Sequence, residues 1–268
     1  MKNIIDVDNL SFSYKNKKIF DKFSLKIKEN EWITICGKNG SGKSTLIKIL
    51  SGLINNNSNI TICGYKLNEK NIYEIRKNIG IVFDKIENSF LCETVEDELA
   101  FILENLSYSK IKINKTINDL SKKLNITHLL NKESNQLSGG EKCIIALACA
   151  IIHNPKILII DESLSMIDVE EKNNLFNILD SLHKNGMTII NITHDLRESY
   201  YSDRLLILNE GEIMLDGKPF DVMQYDKILN RLKIELPVEI DLCIKLKLYG
   251  LINEINPNIK ELVNTIWQ

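Results

Sequence analysis

Between residues 4 and 35 apolar side chains alternate with polar ones, as in Phe23-Ser24-Leu25-Lys26-Ile27, and this period predicts short antiparallel strands. Ile33-Thr34-Ile35 after Trp32 predicts a further β-branched strand, then a glycine-rich turn and a helical run from Ser44 to Leu53. The polar stretch Asn55 to Asn59 reads as a surface turn, and Ile79-Gly80-Ile81-Val82-Phe83 as another strand. From 84 to about 152 the pattern is mainly helical, closing with small and apolar residues from Glu141 to about Ile152. Ile157 to Ile160, after Pro155, is unbroken and apolar, as a parallel strand covered on both faces requires. Strands return at Met187 to Ile192 and at Arg204 to Leu208, the latter ending in the turn Asn209-Glu210-Gly211-Glu212.

Beyond residue 218 the pattern changes. Val238, Leu242 and Leu246 recur every four residues and Gly250 makes a stop, which predicts an amphipathic helix. Its stripe reads as core packing, the alternative being a dimer contact. A second helix is expected after Pro257, including Leu262, Val263 and Ile266. The expected architecture is α/β: residues 1–218 form a domain with a parallel-cored sheet, an antiparallel β edge and an inserted helical subdomain at about 84–152. Residues 219–268 form a small helical extension.

Composition removes several classes. The chain has 268 residues and a formal net charge of −2, with its basic residues spread out, so no nucleic-acid footprint is visible. No run approaches the roughly 18 apolar residues of a membrane helix. Acids stand too early, at Asp6, for a secretory signal, so a cytoplasmic location is expected. Cysteines 36, 63, 92, 143, 149 and 243 form no C-x-x-C pair and read as reduced core thiols, Cys143 included.

The chemistry is concentrated in two strings. Gly37-Lys38-Asn39-Gly40-Ser41-Gly42-Lys43-Ser44-Thr45 lies between a strand and a helix, the context in which a glycine loop binds a nucleotide triphosphate and defines a P-loop NTPase. Glycines let backbone N–H groups close on a polyphosphate, and the helix start adds partial positive charge. Lys43 would reach the β- and γ-phosphates of ATP, and the Ser44 hydroxyl suits Mg²⁺. A plain glycine turn between core elements is the bland reading; all four fixed positions and both flanks oppose it. The second string is Asp161-Glu162 at the end of the apolar strand, where open α/β sheets bind ligands. Asp161 is the expected Mg²⁺ ligand, directly or through water, and Glu162 the base that orients and deprotonates the attacking water. The alternative is that both acids cap the next helix.

With Leu137-Ser138-Gly139-Gly140-Glu141 between these strings, the chain resembles the ATP-binding cassette family. The string is similar to that family's signature loop, with Glu141 where Gln is commoner. The resemblance implies that Ser138, Gly139, Gly140 and Glu141 meet the γ-phosphate of a nucleotide held by a second cassette, so that two subunits sandwich two ATP molecules. It further implies that Asp168, in Ser165-Met166-Ile167-Asp168, faces the opposite subunit, that His194 contacts the γ-phosphate, and that adenine stacks on Tyr14. Asp84 departs from the family's Gln, which touches the metal and the lytic water. An ionised Asp is shorter and cannot donate a hydrogen bond, so either it ligands the metal more directly or this half of the dimer hydrolyses slowly. The stretch between Ser44 and Ser138 has room for a small helical subdomain but not for the long coiled-coil arms of chromosome-maintenance or repair members.

Glu87-Asn88-Ser89-Phe90, Thr94 to Phe101, Glu104-Asn105, Leu236-Pro237 and Glu261-Leu262-Val263 resemble the ATPases of energy-coupling factor transporters, prokaryotic importers of vitamins and of cobalt or nickel. That resemblance implies a peripheral subunit at the cytoplasmic face of the membrane. Its partners would be a second such ATPase, identical or not, an integral membrane scaffold protein and a separate membrane protein that captures the substrate. The alternatives are the ATPase of a conventional importer or exporter and a catalytically weak half of a heterodimeric pair.

Overall fold

The computed structural model describes the chain apart from Met1, Asn16, residues 56–57, 87–89, 163–167, 253–254, 256 and 258–268, and the side chain of Val169. β1 (Asn3–Tyr14) and β2 (Lys17–Lys28) form a long antiparallel hairpin, extended by β4 (Asn59–Ile62) and β5 (Tyr65–Lys66) in the order β2-β1-β4-β5. The strands expected to be short are 12 residues each. Their ladder passes through several register shifts, where the ribbon bends without ending. The second sheet contains β3 (Trp32–Cys36), β6 (Ile79–Val82), β7 (Ile157–Asp161), β8 (Thr188–Thr193), β9 (Arg204–Asn209) and β10 (Glu212–Gly217), in the order β10-β9-β3-β8-β7-β6. All its neighbours are parallel except the β9–β10 hairpin.

Both faces of this sheet are covered, which is why its strands are apolar without alternation. Ile157 and Ile159 of β7 enter a cluster with Ile33, Ile35, the hairpin's Phe20 and Phe23, and Leu46 and Ile47 of α1 (Lys43–Leu50). Leu158 and Ile160 enter the opposite cluster, with residues of α3 (Val95–Asn105), α4 (Lys110–Lys123), α5 (Gly139–Ile151) and α6 (Val169–Lys184). Each buried Leu or Ile contributes about 1.5–3 kcal/mol relative to exposure. A third cluster joins Leu205 and Ile207 of β9 to α7 (Pro219–Met223), α8 (Asp226–Arg231) and α9 (Val238–Leu248) through Val222, Met223, Leu229 and Ile240. A short helix α2 (Ile72–Lys77) packs beside β6.

Two further expectations are corrected. The helix after the glycine loop ends at Leu50 instead of Leu53, because Gly52 turns left-handed at φ +67° and Leu53 N–H folds back to the Lys48 carbonyl. The stripe Val238, Leu242, Leu246 is not the buried face of α9. Val238 and Leu242 are exposed, whereas Ile240 and Cys243 are buried. The rotation is set by polar contacts: Glu239 Oε1 accepts hydrogen bonds from Arg197 Nε at 3.1 Å and Tyr200 Oη at 3.0 Å, which turns residues 239, 240 and 243 toward the body. The helix expected after Pro257 lies outside the described residues.

The β9–β10 turn is packed so that only glycine fits at 211. Gly211 has φ +78°, its N–H donates to the Ser41 carbonyl at 2.9 Å, and a Cβ there would overlap the Ile19 carbonyl oxygen. Gly211→Ala is expected to destabilise the protein by about 2 kcal/mol or more. It would also loosen the glycine loop that Ser41 belongs to. Chemical denaturation checks this, and a midpoint equal to the parent's would refute it.

Candidate functional site

Because β3, β6, β7 and β8 run parallel, whatever follows them is collected at one edge of the sheet. Gly37 follows β3, Asp84 lies two residues past β6, Asp161 ends β7 with Glu162 directly after it, and His194 follows β8. The four predicted strand ends are thereby brought together.

The glycine loop is shaped by its own lysine. Gly40 and Gly42 adopt left-handed φ of +84° and +113°, and a Cβ at Gly37 would overlap the Leu208 carbonyl oxygen. Lys43 opens α1 and is only 4% exposed. Its Nζ donates to the Gly37 carbonyl at 2.5 Å and the Lys38 carbonyl at 3.0 Å, and lies 3.2 Å from Glu162 Oε1. Lys38, Asn39, Gly40 and Ser44 remain exposed, with Thr45 half-buried. A cavity of about 280 Å³ opens between the loop, Lys17 and Ile19 of β2, Ser44, Thr45 and Glu162. A larger hollow of about 920 Å³ adjoins it on the side of Asn209, Glu210 and Arg231. Tyr14 is exposed beside this wall as the ladder partner of Lys17, edge-on to Phe12. Lys17 and Ile19 were not singled out by the sequence, since nothing in an alternating strand marks the residue that faces a ligand.

Asp161 carries the strongest electrostatic signature. It is 6% exposed, and its Oδ1 has no hydrogen-bond partner among the described residues. Burial, then the nearby charges of Asp84 and Glu162, push its pKa up from 3.8 to about 6 against the pull of Lys43 and Lys48. A buried carboxylate oxygen with no donor among the described residues, crowded by other acids, suits a hard cation with oxygen ligands, as does the exposed Ser44 hydroxyl in the first turn of α1. Ser44 and Asp161 therefore fit Mg²⁺. Among the described residues no group of three or more His, Cys, Asp and Glu side chains is arranged to hold a metal alone, so the remaining ligands would be phosphate oxygens and water.

Glu162 sits at φ +49°, a conformation that costs a non-glycine residue about 1–3 kcal/mol and is concentrated at functional sites. Its N–H continues the parallel ladder to the Ile192 carbonyl at 2.9 Å. Its carboxylate reaches Lys43 on one side and comes within 3.8 Å of His194 Nδ1 on the other. The capping alternative does not hold for this pair: the N-cap of α6 is Asp168, whose Oδ1 accepts from Glu171 N–H at 2.9 Å. Asp168 itself is exposed, while Ser165 to Ile167 lie outside the described residues.

The signature string is at the start of α5. Ser138 Oγ accepts from Glu141 N–H at 3.1 Å, and Glu141 Oε2 accepts from Ser138 N–H at 2.8 Å. That backbone donor, with Lys132 at 3.0 Å, holds the Glu141 carboxyl below its usual range. Leu137 and Gly140 are buried and anchor the loop, whereas Ser138 and Gly139 face outward. A Cβ at Gly140 would displace the Glu171 carboxylate, which packs against the glycine. The string is therefore presented at the surface, where a neighbouring molecule can reach it. No disulfide joins the cysteines, and burial pushes the thiols of Cys36 and Cys143 up to about 12, as inert packing groups require.

Similar proteins share this architecture. The family model described as ABC transporter matches residues 20–165. The energy-coupling factor transporter ATP-binding protein EcfA of Pediococcus pentosaceus is 39% identical over 242 residues, 88% of this chain and 86% of that protein. EcfA1 of Ligilactobacillus salivarius is 40% identical over 85% of this chain and 83% of its own. Among solved structures, cbiO1 from Clostridium perfringens, part of the ABC transporter complex cbiONQ, superposes with a TM-score of 0.78 at 28% identity, covering 90% of this chain and 99% of its own. The dimeric post-hydrolysis state of the ATP-binding cassette MJ0796 with ADP and Pi gives 0.71 at 25% identity, over 80% and 98%.

Proposed function

This chain belongs to the ABC transporter family, and from that premise we propose that it is the ATP-hydrolysing subunit of an energy-coupling factor importer, residues 219–268 being an extension of the cassette. The observation that carries the reading is the meeting of Lys43, Asp161, Glu162 and His194 at one sheet edge, with Ser138 and Gly139 exposed on a separate helix start. One subunit thus offers a phosphate cradle and, elsewhere, an anion site that is incomplete without a neighbour. Among the described residues no helix is long and apolar enough to cross a membrane, which suits a peripheral subunit that acts through membrane partners.

The loop N–H groups and Lys43 hold the triphosphate, Tyr14 offers its ring to adenine, and Ser44 and Asp161 hold Mg²⁺. When bound, the metal neutralises charge on the β- and γ-phosphate oxygens. Glu162 orients the water and takes its proton, while His194 contacts the γ-phosphate. Ser138, Gly139 and Gly140 of the second cassette close the other side and shut out bulk water. Asp168 and Glu141 border that interface. Closure and reopening move the bound membrane scaffold, and a separate membrane protein supplies the vitamin or metal cargo.

Co-purification from membranes tests the assignment. A small integral scaffold and a second cassette, with ATP hydrolysis by the complex, are expected. A periplasmic or lipoprotein receptor in their place would assign the chain to a conventional importer.

Asp84 bears on rate. It is exposed at the end of β6, and its charge acts on Asp161, so it adds a third carboxylate where the γ-phosphate would lie. Asp84→Gln in the assembled complex is expected to raise turnover about threefold to tenfold, equivalent to removing roughly 1 kcal/mol of repulsion. Unchanged steady-state hydrolysis would show that the substitution is harmless.

A further inference from the structure

The first turn of α6 and the turn after His194 are joined by a charged cluster that the steps above do not use. Lys172 Nζ lies 2.7 Å from Glu198 Oε1 and 3.5 Å from Asp195 Oδ2. Glu198 is 3% exposed, and its other oxygen accepts from Asn191 Nδ2 of β8 at 2.9 Å. Asp195, next to His194, closes the turn locally. Its N–H donates to Thr193 Oγ1 and its Oδ1 accepts from Arg197 N–H, both at 3.0 Å. On the α6 side, Lys172 N–H donates to the Asp168 carbonyl at 2.9 Å, within the turn that Asp168 caps.

We propose that Lys172 is a positioning residue that couples Asp168, facing the partner subunit, to the γ-phosphate contact made by His194. The proposal rests on the roles given to Asp168 and His194 above. The first turn of a capped helix moves as a unit. If closure of the dimer displaces Asp168, Lys172 moves with it. Lys172 cannot leave Glu198 behind, because a buried carboxylate stripped of its cation is unfavourable. Glu198 and Asp195 therefore follow, and His194 with them. The other side of the same turn is held to α9 by Arg197 and Glu239, so the segment pivots as one piece. An ammonium on a long stem meets the requirement, since it can donate to both carboxylates at once.

Three variants in the purified complex test this: Lys172→Met, Lys172→Arg, and Lys172→Met with Glu198→Gln, which leaves no lone buried charge. In both Met-containing variants kcat is expected to fall about 10- to 100-fold, as for a displaced catalytic group. KM for ATP should stay within about twofold, and the Hill coefficient for ATP should drop toward 1. Lys172→Arg should restore most of both, and the double variant should keep the parent's thermal midpoint. Parent-like kcat and Hill coefficient in the double variant would overturn the proposal, as would a loss that Lys172→Arg fails to rescue. Hydrolysis by the parent tests the ATPase reading separately. An inactive parent removes that reading, whereas an active parent beside an equally active double variant removes only the role of Lys172.

Discussion

Glu162→Gln is expected to lower ATP turnover by about 10²- to 10⁴-fold while leaving ATP binding intact. The substitution is isosteric, so the left-handed backbone at 162 and its ladder bond to Ile192 have no reason to change. The proton acceptor is lost, because an amide can still orient a water but cannot take its proton. Binding should survive or improve, since the groups that cradle the phosphates are elsewhere and the Lys43 ammonium no longer shares its charge with a carboxylate 3.2 Å away. Hydrolysis would then stall after closure, and the ATP-bound dimer should accumulate and be visible by size-exclusion chromatography with ATP. Turnover within a few-fold of the parent would remove Glu162 from the role of base.

How much of this arrangement the sequence disclosed depends on the range of the forces involved. The glycine loop and the Asp161-Glu162 pair were legible because each is tied to the end of an apolar run, and parallel strands leave no choice about where such ends meet; His194 also follows such a run, but only the family resemblance singled it out. Ser138 caps the N-terminus of α5, which keeps it at the surface by a purely local hydrogen bond. The rotation of α9 was not legible, since it depends on Glu239 meeting Arg197 and Tyr200, some forty residues earlier in the chain. Helical spacing pointed to Val238 and Leu242; two hydrogen bonds on an adjacent face outweighed it. Lys172 was equally silent. A lysine in a charged first helical turn reads as solvated, and only the packing of α6 against the segment after β8 shows that it balances a buried glutamate. The length of the β1–β2 hairpin was underestimated for a related reason: register shifts interrupt the alternation without interrupting the ladder.

Asp161→Asn is expected to stabilise the nucleotide-free protein and, together with that, to lower its magnesium-dependent turnover sharply. In the unfolded chain this carboxyl ionises near 3.8, and in the folded chain it keeps its proton to about pH 6. The folded state therefore binds more protons between those values. Stability falls as pH rises through that window and stays lower above it. The cost of the charged form is at most about 3 kcal/mol, so the neutral amide should raise the thermal midpoint at pH 8 by roughly 2–6 °C. The gain should vanish as pH approaches 4, where the parent's own Asp161 is neutral. The same substitution removes the anionic oxygen that would face the metal. If Asp161 contributes a few kcal/mol of charge stabilisation through the cation, turnover should drop at least about 100-fold. Differential scanning calorimetry across pH and ATPase assays at saturating Mg²⁺ separate the two effects. A lower midpoint at pH 8 would show that burial of this charge is already compensated within the protein, and undiminished turnover would assign the metal to other ligands. The two results together follow from one cause, a carboxylate kept dry and crowded by Asp84 and Glu162 so that a divalent cation, once bound, relieves the repulsion.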